Sequence, residues 1–309
     1  MDKNEIDSYV KAGKIAREIK VFAREIVKPG MKLIDIANLI DAKILELGGE
    51  GAFPVNLGLN EIAAHFTPTS DCDIVAEGIL KIDIGVAVDG FIADCAISFD
   101  LTDDGRFDDM IRFNEEILAE ASKIVKVGMK VKDVGEAVQK VVEKWDDKRF
   151  AVIKSLCGHA LGRNNIHAGL TISNYRNENK KILDNVAFAI EPFVTMGVGD
   201  VIEGKGGGIY VLKGEGQVRD LDARKVLEFV KREYGTRPFC LRWLAKADGG
   251  SGVLGFGGSE TKLKFILGNL VRAGVFYEYP ILVEKSRMPV SQIENTFVIA
   301  GGEVICTTM

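Results

Sequence analysis

Histidine is scarce in this chain. Only three of its 309 residues are histidines, His65, His159 and His167. Each lies in a short segment rich in Gly, Asn, Pro or Thr rather than on a helix face. This placement favours a role in a site over a role on a helix surface.

Cysteine is sparse as well, and its spacing excludes two kinds of scaffold. The chain has five cysteines, an odd number, and no two of them form a Cys-x-x-Cys pair. The sequence therefore predicts neither a disulfide framework nor a zinc ribbon. We expect reduced core thiols at Cys72, Cys95, Cys157, Cys240 and Cys306.

Long apolar runs and blocks of like charge are also missing. No apolar run approaches the roughly 18 residues of a membrane span, and the first seven residues are too acidic and polar for a signal peptide. The net charge of −5 gives no electrostatic footprint for nucleic acid. At 47% hydrophobic residues, the chain can build an ordinary globular core. We expect a cytoplasmic protein with no nucleic-acid or membrane partner.

What the chain does contain is a set of acids in apolar, strand-like contexts. These are Asp83, Asp94, Glu191 and Glu294. One such acid alone is often an edge residue or an ion-pair partner. Four unpaired carboxylates close together would repel one another, and burying each costs several kcal/mol. Lys81 is the only basic residue within these four contexts, so ion pairs cannot account for the whole set. Since His159 also offers an imidazole directly after Gly158, the set favours a metal site.

An internal duplication organises the chain. Residues 27–36 recur 98 residues later as residues 125–134, with six of the ten positions identical. Each copy lies between two segments with helical periodicity, and each half then reaches an acid in an apolar strand, Asp83 or Glu191. The repeat predicts two related halves with a site between them. Between Asp83 and Asp94, Asp89-Gly90 is a hairpin turn signal that would bring both carboxylates near one centre.

Several motifs together resemble a known family. They are Phe53-Pro54-Val55-Asn56 through His65, Lys81 to Gly85 with Asp89 to Asp94, Gly158-His159, Ile166 to Gly169, Ala189 to Phe193, and Lys231 to Phe239 followed by Arg242-Trp243-Leu244. These look like the pita-bread metallopeptidases, and more narrowly the archaeal-style type II methionine aminopeptidases. The resemblance implies an α/β (α+β) pita-bread fold with pseudo-two-fold duplicated helix-helix-sheet halves. It implies one catalytic domain over residues 1–309, with a helical insert at about residues 215–277.

The resemblance also implies the ligands of a dinuclear metal centre. Asp83, Asp94, His159, Glu191 and Glu294 match the five ligands of two divalent cations, with Asp94 and Glu294 bridging. An oxygen-rich set with one imidazole suits cobalt, manganese, iron or zinc in expanded coordination, and it does not select among them. Two such ions can generate a hydroxide near neutral pH that attacks a peptide carbonyl.

Catalytic and substrate-binding positions follow from the same matching. His65, His167 and Glu191 match catalytic positions, with Glu191 as a candidate proton shuttle. The methionine pocket matches Phe53, His65, Ile166, His167, Phe193 and Tyr279, whose aromatic faces suit a thioether. Where the family usually has histidine after its last glutamate ligand, this chain has Asn295, which predicts altered metal affinity. Two glycine-rich stretches, Gly204–Gly208 and Gly249–Ser259, are interpreted as a flexible loop and a mobile surface loop.

The predicted function is removal of the initiator methionine from nascent polypeptides. The substrate would be the N-terminus of a nascent chain, and the family also implies a monomer with a transient ribosome contact. Two alternatives stay open at this point. One is an Xaa-Pro dipeptidase or aminopeptidase of the same fold, and the other is a non-catalytic pita-bread protein that binds ribosomes.

Overall fold

The computed structural model describes residues 1–214, 216 and 218–309. The helices within these residues are α1 (Lys3–Ile26), α2 (Leu33–Glu46), α3 (Asp108–Lys123), α4 (Val131–Lys144), α5 (Leu221–Glu233), α6 (Leu241–Ser251) and α7 (Glu260–Arg272). The strands are β1 (Glu50–Gly51), β2 (Asn56–Leu59), β3 (Ile62–Ala64), β4 (Ile79–Val88), β5 (Phe91–Asp100), β6 (Ala151–Val152), β7 (Gly158–Leu161), β8 (Thr171–Ile172), β9 (Val186–Ile190), β10 (Phe193–Thr195), β11 (Val201–Leu212), β12 (Phe239–Cys240), β13 (Phe276–Glu284), β14 (Val290–Gln292), β15 (Asn295–Ala300) and β16 (Glu303–Cys306).

The predicted duplication is visible in the helices and in the turns between them. Helices α1 and α2 form the pair of the first half, and α3 and α4 form the pair of the second. In the turns, the carbonyl oxygens of Met31 and Met129 accept the backbone N–H groups of Ala76 and Leu183, each from the segment leading into its own half's strands. The repeated sequence therefore forms the same unit twice.

Antiparallel strands from both halves meet at the centre of the molecule. Strands β4 and β5 pair along their whole length, and β1 and β2 extend that sheet. In the second half, the sheet runs in the order β16-β15-β9-β7-β8. A bridge between Ala96 and Glu294 joins the two halves. The bridge therefore brings the acids of the first half, Asp83 and Asp94, to the same region as Glu294 of the second half.

Each half packs its helix pair on its own strands. On α1, the small and branched residues Ala12, Ala16, Ile19 and Ala23 are inaccessible to solvent and pack in one cluster with α2 and the β4–β5 hairpin. A second cluster joins α3 and α4 to β9 and β15. Burial of these apolar faces against the sheets stabilises both helix pairs far more than helix propensity does.

Helices α5, α6 and α7 share a third hydrophobic cluster with β11, β12 and β13. These elements lie in the segment predicted as an insert, whose expected start near residue 215 lies outside the described residues. On α7, Leu263, Ile266 and Leu270 are buried in this cluster. Phe265 on the same helix is 67% exposed.

Of the two predictions about glycine-rich stretches, the one for Gly204–Gly208 is wrong. Gly204–Gly208 lies within strand β11, where two register shifts against β13 accommodate the extra glycines. The second stretch begins within α6 and continues after it as a loop, in which the backbone N–H groups of Leu254, Gly255, Phe256 and Gly258 donate to the Asp248 carboxylate. Sequence composition does not reveal either set of partners.

Two expectations from the sequence can be compared with the described residues. All five cysteines are free thiols, and Cys95 and Cys240 are buried. No described helix is long and apolar enough to cross a membrane.

Candidate metal centre

The β4–β5 hairpin places the first two acids. Its turn residues, Asp89 and Gly90, have φ values of 51° and 82°, the left-handed pair that a two-residue hairpin turn requires. Asp83 lies opposite Ala96, two residues from Asp94 on the adjacent strand. Because side chains two apart on a strand share a face, both carboxylates project to the same side of the hairpin.

The remaining acids and a histidine come from the second half. Glu191 directly follows β9, His159 lies in β7, and Glu294 lies between β14 and β15. The His159 Nε2 atom is 3.4 Å from Glu191 Oε1 and 3.7 Å from Asp94 Oδ2. One potential ligand atom from each of Asp94, His159 and Glu294 lies within 4.8 Å of the other two. The structure therefore brings together all five residues that the sequence singles out.

Asp94, Glu191 and Glu294 are buried, and no lysine or arginine among the described residues forms an ion pair with any of the four acids. Asp94 is 3% exposed and Glu294 1%. Burial raises the pKa of Asp83 to about 7 and, with the neighbouring carboxylates, raises those of Asp94, Glu191 and Glu294 well above their ordinary values. Four ionised acids would therefore be unfavourable here without added positive charge.

The donor set fits a divalent metal. Four buried atoms of these acids and His159 find no hydrogen-bond partner among the described residues: Asp83 Oδ1, Asp94 Oδ1, Glu294 Oε1 and His159 Nδ1. Buried polar atoms are normally paired, so unpaired carboxylate oxygens that converge on one place indicate a ligand. Carboxylate oxygens with one imidazole are suitable ligands for a divalent cation.

The other two histidines flank the cluster. The His167 ring lies edge-on to His159, with centroids 4.5 Å apart, and the His65 ring lies 5.2 Å from that of Tyr279. Burial lowers the pKa of His65 to about 4 and also lowers the pKa of His167. Both rings are therefore neutral near pH 7, and each has one N–H donor and one unprotonated nitrogen that can accept a hydrogen bond.

A cavity of about 210 Å³ opens beside the acids. All six residues predicted for a methionine pocket line it: Phe53, His65, Ile166, His167, Phe193 and Tyr279. It also contains apolar wall residues that the sequence reasoning missed, Leu156, Ile209, Pro238 and Leu282, together with the thiol of Cys157. The cavity is therefore apolar on its walls and acidic at one end.

Two polar residues beside the centre were also missed. Gln292 is 1% exposed and adjoins Asp83 and Glu191, where its amide lowers the pKa of each carboxyl against the larger, opposite effect of burial. The Asn56 amide oxygen accepts the backbone N–H of His65 at 2.9 Å. The position of Gln292 two residues before Glu294 in an extended segment is the one sequence signal that indicates a shared face.

Asn295 lies in different surroundings from those the sequence suggests. Its amide oxygen accepts hydrogen bonds from Lys20 Nζ and Thr308 Oγ1, both at 3.0 Å. No hydrogen bond joins its side chain to Glu294 among the described residues. Among the described residues, the Asn295 side chain therefore makes no direct hydrogen bond to Glu294 through which it could alter metal affinity as predicted.

Sequence comparison identifies a family and near relatives. The model of metallopeptidase family M24 matches residues 7–224. A methionine aminopeptidase of Pyrococcus horikoshii is 39% identical over 98% of this chain and 99% of its own length. A methionine aminopeptidase of Thermococcus onnurineus is 40% identical over 99% of this chain and 100% of its own.

Solved structures with the same fold cover nearly the whole chain. A thermophilic Arx1 superposes with a TM-score of 0.78 at 19% identity, covering 99% of this chain and 91% of its own. A methionine aminopeptidase from Thermotoga maritima superposes with a TM-score of 0.69 at 20% identity, covering 100% of this chain and 98% of its own. At these identities the likeness concerns the fold alone.

Proposed function

Because the chain belongs to metallopeptidase family M24, and within it to the type II methionine aminopeptidases, we propose specific residues for each step of that family's reaction. The protein is a pita-bread metallopeptidase that removes the initiator methionine from polypeptides in a metal-dependent reaction. The observation that carries this conclusion is the buried, unpaired acid cluster at one end of an apolar cavity. The Xaa-Pro peptidase and the non-catalytic alternative are not favoured, because relatives matching nearly the full length are methionine aminopeptidases.

We propose that five residues hold two divalent cations: Asp83, Asp94, His159, Glu191 and Glu294. The unpaired buried oxygens of Asp83, Asp94 and Glu294 support this assignment, as does the distance of 3.4 Å between His159 Nε2 and Glu191 Oε1. Asp94 and Glu294 are the proposed shared ligands. When bound, the cations supply Lewis-acid polarisation and make a water acidic enough to be a nucleophile near neutral pH. Cobalt, manganese, iron and zinc all suit this donor set.

Three side chains are proposed to act on the substrate. A carboxylate oxygen of Glu191 accepts the proton of the attacking water and returns it to the leaving amine. His167, neutral because burial lowers its pKa, donates a ring N–H to the scissile carbonyl. His65 contacts the substrate beside the scissile bond. The position of all three on the wall of one cavity supports these roles.

The methionine side chain is proposed to occupy the apolar end of the same cavity. Phe53, Ile166, Phe193 and Tyr279 would contact it, with His65 and His167 at the side of the acids. Phe53 is 7% exposed and Phe193 2%, so both rings are fixed by packing. A polarizable thioether makes favourable contacts with aromatic ring edges, which favours methionine over a branched aliphatic side chain.

Release of free methionine from Met-Ala-Ser tests this function. Metal-stripped protein should be inactive, and added cobalt or manganese should restore release in the wild type but not in Asp94→Asn. Cleavage of an Xaa-Pro peptide with no release from Met-Ala-Ser would contradict the assignment. Release that continues without metal would contradict the proposed metal centre.

Other properties stay predictions. The helical insert is proposed as a subdomain within one catalytic domain, supported by its own hydrophobic cluster. The substrate is a peptide N-terminus, and its source in nascent chains, the monomeric state and a transient ribosome contact follow from the family resemblance. Light scattering and sedimentation with ribosomes would measure the last two.

A further inference from the structure

His65 has an unusual backbone conformation. Its φ is 67°, in the left-handed region that residues with a side chain rarely occupy. Such a conformation persists only where the surroundings hold it in place. One such restraint is a hydrogen bond in which the Asn56 amide oxygen accepts the backbone N–H of His65.

The segment that follows His65 is held from two further directions. Strand β11 contributes the carbonyl oxygen of Gly207, which accepts the Thr67 N–H at 3.0 Å. A Cβ atom at Gly207 would overlap the carbonyl oxygen of His65, so only glycine allows this approach. From the other direction, Arg242 Nη1 donates to Thr67 Oγ1 at 2.9 Å and to the carbonyl oxygen of Pro68 at 2.6 Å.

Arg242 is itself fixed in position. It lies on α6 in the insert and is 5% exposed. Its Nη2 atom donates to Asp41 Oδ2 at 2.9 Å, and the same oxygen accepts the indole N–H of Trp243 at 2.8 Å. Asp41 belongs to α2 of the first half. One planar guanidinium thus joins the insert, the first half and the segment that carries His65.

We propose that Arg242 is a positioning residue for the reaction, acting through His65. The guanidinium holds residues 67–68 so that His65 keeps its left-handed backbone and presents its ring to the cavity. The insert thereby determines the position of a side chain that lies outside it. This inference deepens the proposed function and rests on it.

Arg237 provides a matched control in the same insert. It is 9% exposed, and its guanidinium also contacts the first half, donating to Glu50 Oε2 and to the carbonyl oxygen of Gly51. Neither contact reaches the segment after His65. Arg237→Lys therefore disturbs the junction of insert and first half without disturbing the proposed link.

Nuclear magnetic resonance of ring-labelled histidine tests the inference directly, because the chain has only three histidines. With zinc added, since it is diamagnetic, Arg242→Lys should shift or broaden the His65 ring signal and leave those of His159 and His167 unchanged. Thr67→Val, which removes one acceptor of Arg242, should have the same effect more weakly. Arg237→Lys should change none of the three. An unchanged His65 signal in both Arg242→Lys and Thr67→Val, or equal changes in all three signals, would overturn the proposal.

A double-mutant cycle tests whether Arg242 acts through His65. In the wild-type background, Arg242→Lys should lower kcat/KM for Met-Ala-Ser about tenfold, whereas in a His65→Ala background it should have almost no further effect. Equal losses in both backgrounds would indicate a general structural role and overturn the inference. If the wild type releases no methionine at all, the proposed function fails, and the histidine signals still decide whether Arg242 positions His65.

Discussion

Asp248 in α6 and the acid cluster between the two halves are both buried, yet their surroundings differ. Asp248 is inaccessible to solvent, and its two oxygens accept four backbone N–H groups. Burial alone would raise the pKa of Asp248, but these hydrogen bonds outweigh it and hold that pKa below its ordinary value. In the cluster, oxygens of Asp83, Asp94 and Glu294 find no donor among the described residues, and their pKa values rise.

The difference shows that donors, rather than burial, decide what a buried carboxylate does. Backbone N–H groups of the chain stabilise the negative charge of Asp248, and the ionised carboxylate in turn stabilises a loop. In the proposed metal centre, an external cation would neutralise the cluster, so the metal-free site would be unfavourable and the metal-bound site favourable. In the metal-free protein, the substitution Asp→Asn should therefore change the free energy of unfolding in opposite directions at Asp248 and at Asp94.

The largest expected effect is on activity. Asp94→Asn removes a proposed shared ligand and should lower kcat/KM for Met-Ala-Ser by about 10³-fold or more, equivalent to about 4 kcal/mol of transition-state stabilisation. Asp248→Asn should retain activity within about threefold at 25 °C, because its site is separate from the cavity. A comparable loss in both variants would remove the functional distinction between the two regions.

Metal binding should stabilise the protein through the cluster. At a free metal concentration of 100 times Kd, added cobalt or manganese should increase the free energy of unfolding by about 2.7 kcal/mol. Thermal unfolding of EDTA-treated protein, with and without metal, measures this gain. The increase in Tm should persist in Asp248→Asn and largely disappear in Asp94→Asn. An equal increase in Asp94→Asn would place the metal elsewhere.

Loop stability should depend on Asp248. Asparagine at this position would point an amide NH₂ at backbone N–H groups, so Asp248→Asn should lower the free energy of unfolding by about 2 kcal/mol. Urea unfolding of metal-free protein at pH 8 measures the loss. In the same assay Asp94→Asn should raise the free energy of unfolding by about 1 kcal/mol, because it relieves repulsion among the acids. Changes of the same sign in both variants would contradict the comparison.

The pH dependence of these two changes should also differ. The folded-state pKa of Asp94 lies well above its ordinary value of 3.8, so the unfavourable contribution of Asp94 to folding is small near pH 4 and grows as the pH rises. The gain from Asp94→Asn should therefore be larger at pH 8 than at pH 5. The folded-state pKa of Asp248 lies below 3.8, so its favourable contribution is complete above pH 5 and is lost only in stronger acid. The loss from Asp248→Asn should be equal at pH 5 and pH 8 in urea unfolding, and a pH-independent gain at Asp94 would contradict the first expectation.

The smallest effect is expected at Asn295. Because its amide oxygen bonds to Lys20 and Thr308 rather than to Glu294, Asn295→His should change the affinity for cobalt or manganese less than about twofold. Calorimetric titration of metal-stripped protein measures this. A tenfold change would restore the interpretation drawn from the sequence, in which this position supports the last glutamate. Thermal unfolding should detect the loss of the Lys20 contact instead.

Local patterns predicted much of the fold and most of the site. The Asp89-Gly90 turn identified the hairpin, and helical periodicity identified the paired helices of both halves. The prediction for Gly204–Gly208 was wrong because glycine content alone does not distinguish a bulged strand from a loop. In Gly204–Gly208 the deciding partners are in β13 and in the segment after His65, which are distant in sequence.

The sequence by itself determined the two helix pairs, the central hairpin and the residue types of the acid cluster, because these depend on spacings within short segments. The tertiary structure alone decided that His65 has a left-handed backbone, that Arg242 reaches the segment after it, and that Asn295 bonds to Lys20. Arg242 and Pro68 are far apart in the chain, as are Asn295 and Lys20. Contacts at such separations form only when the two halves and the insert pack together, and no local pattern in the sequence encodes them.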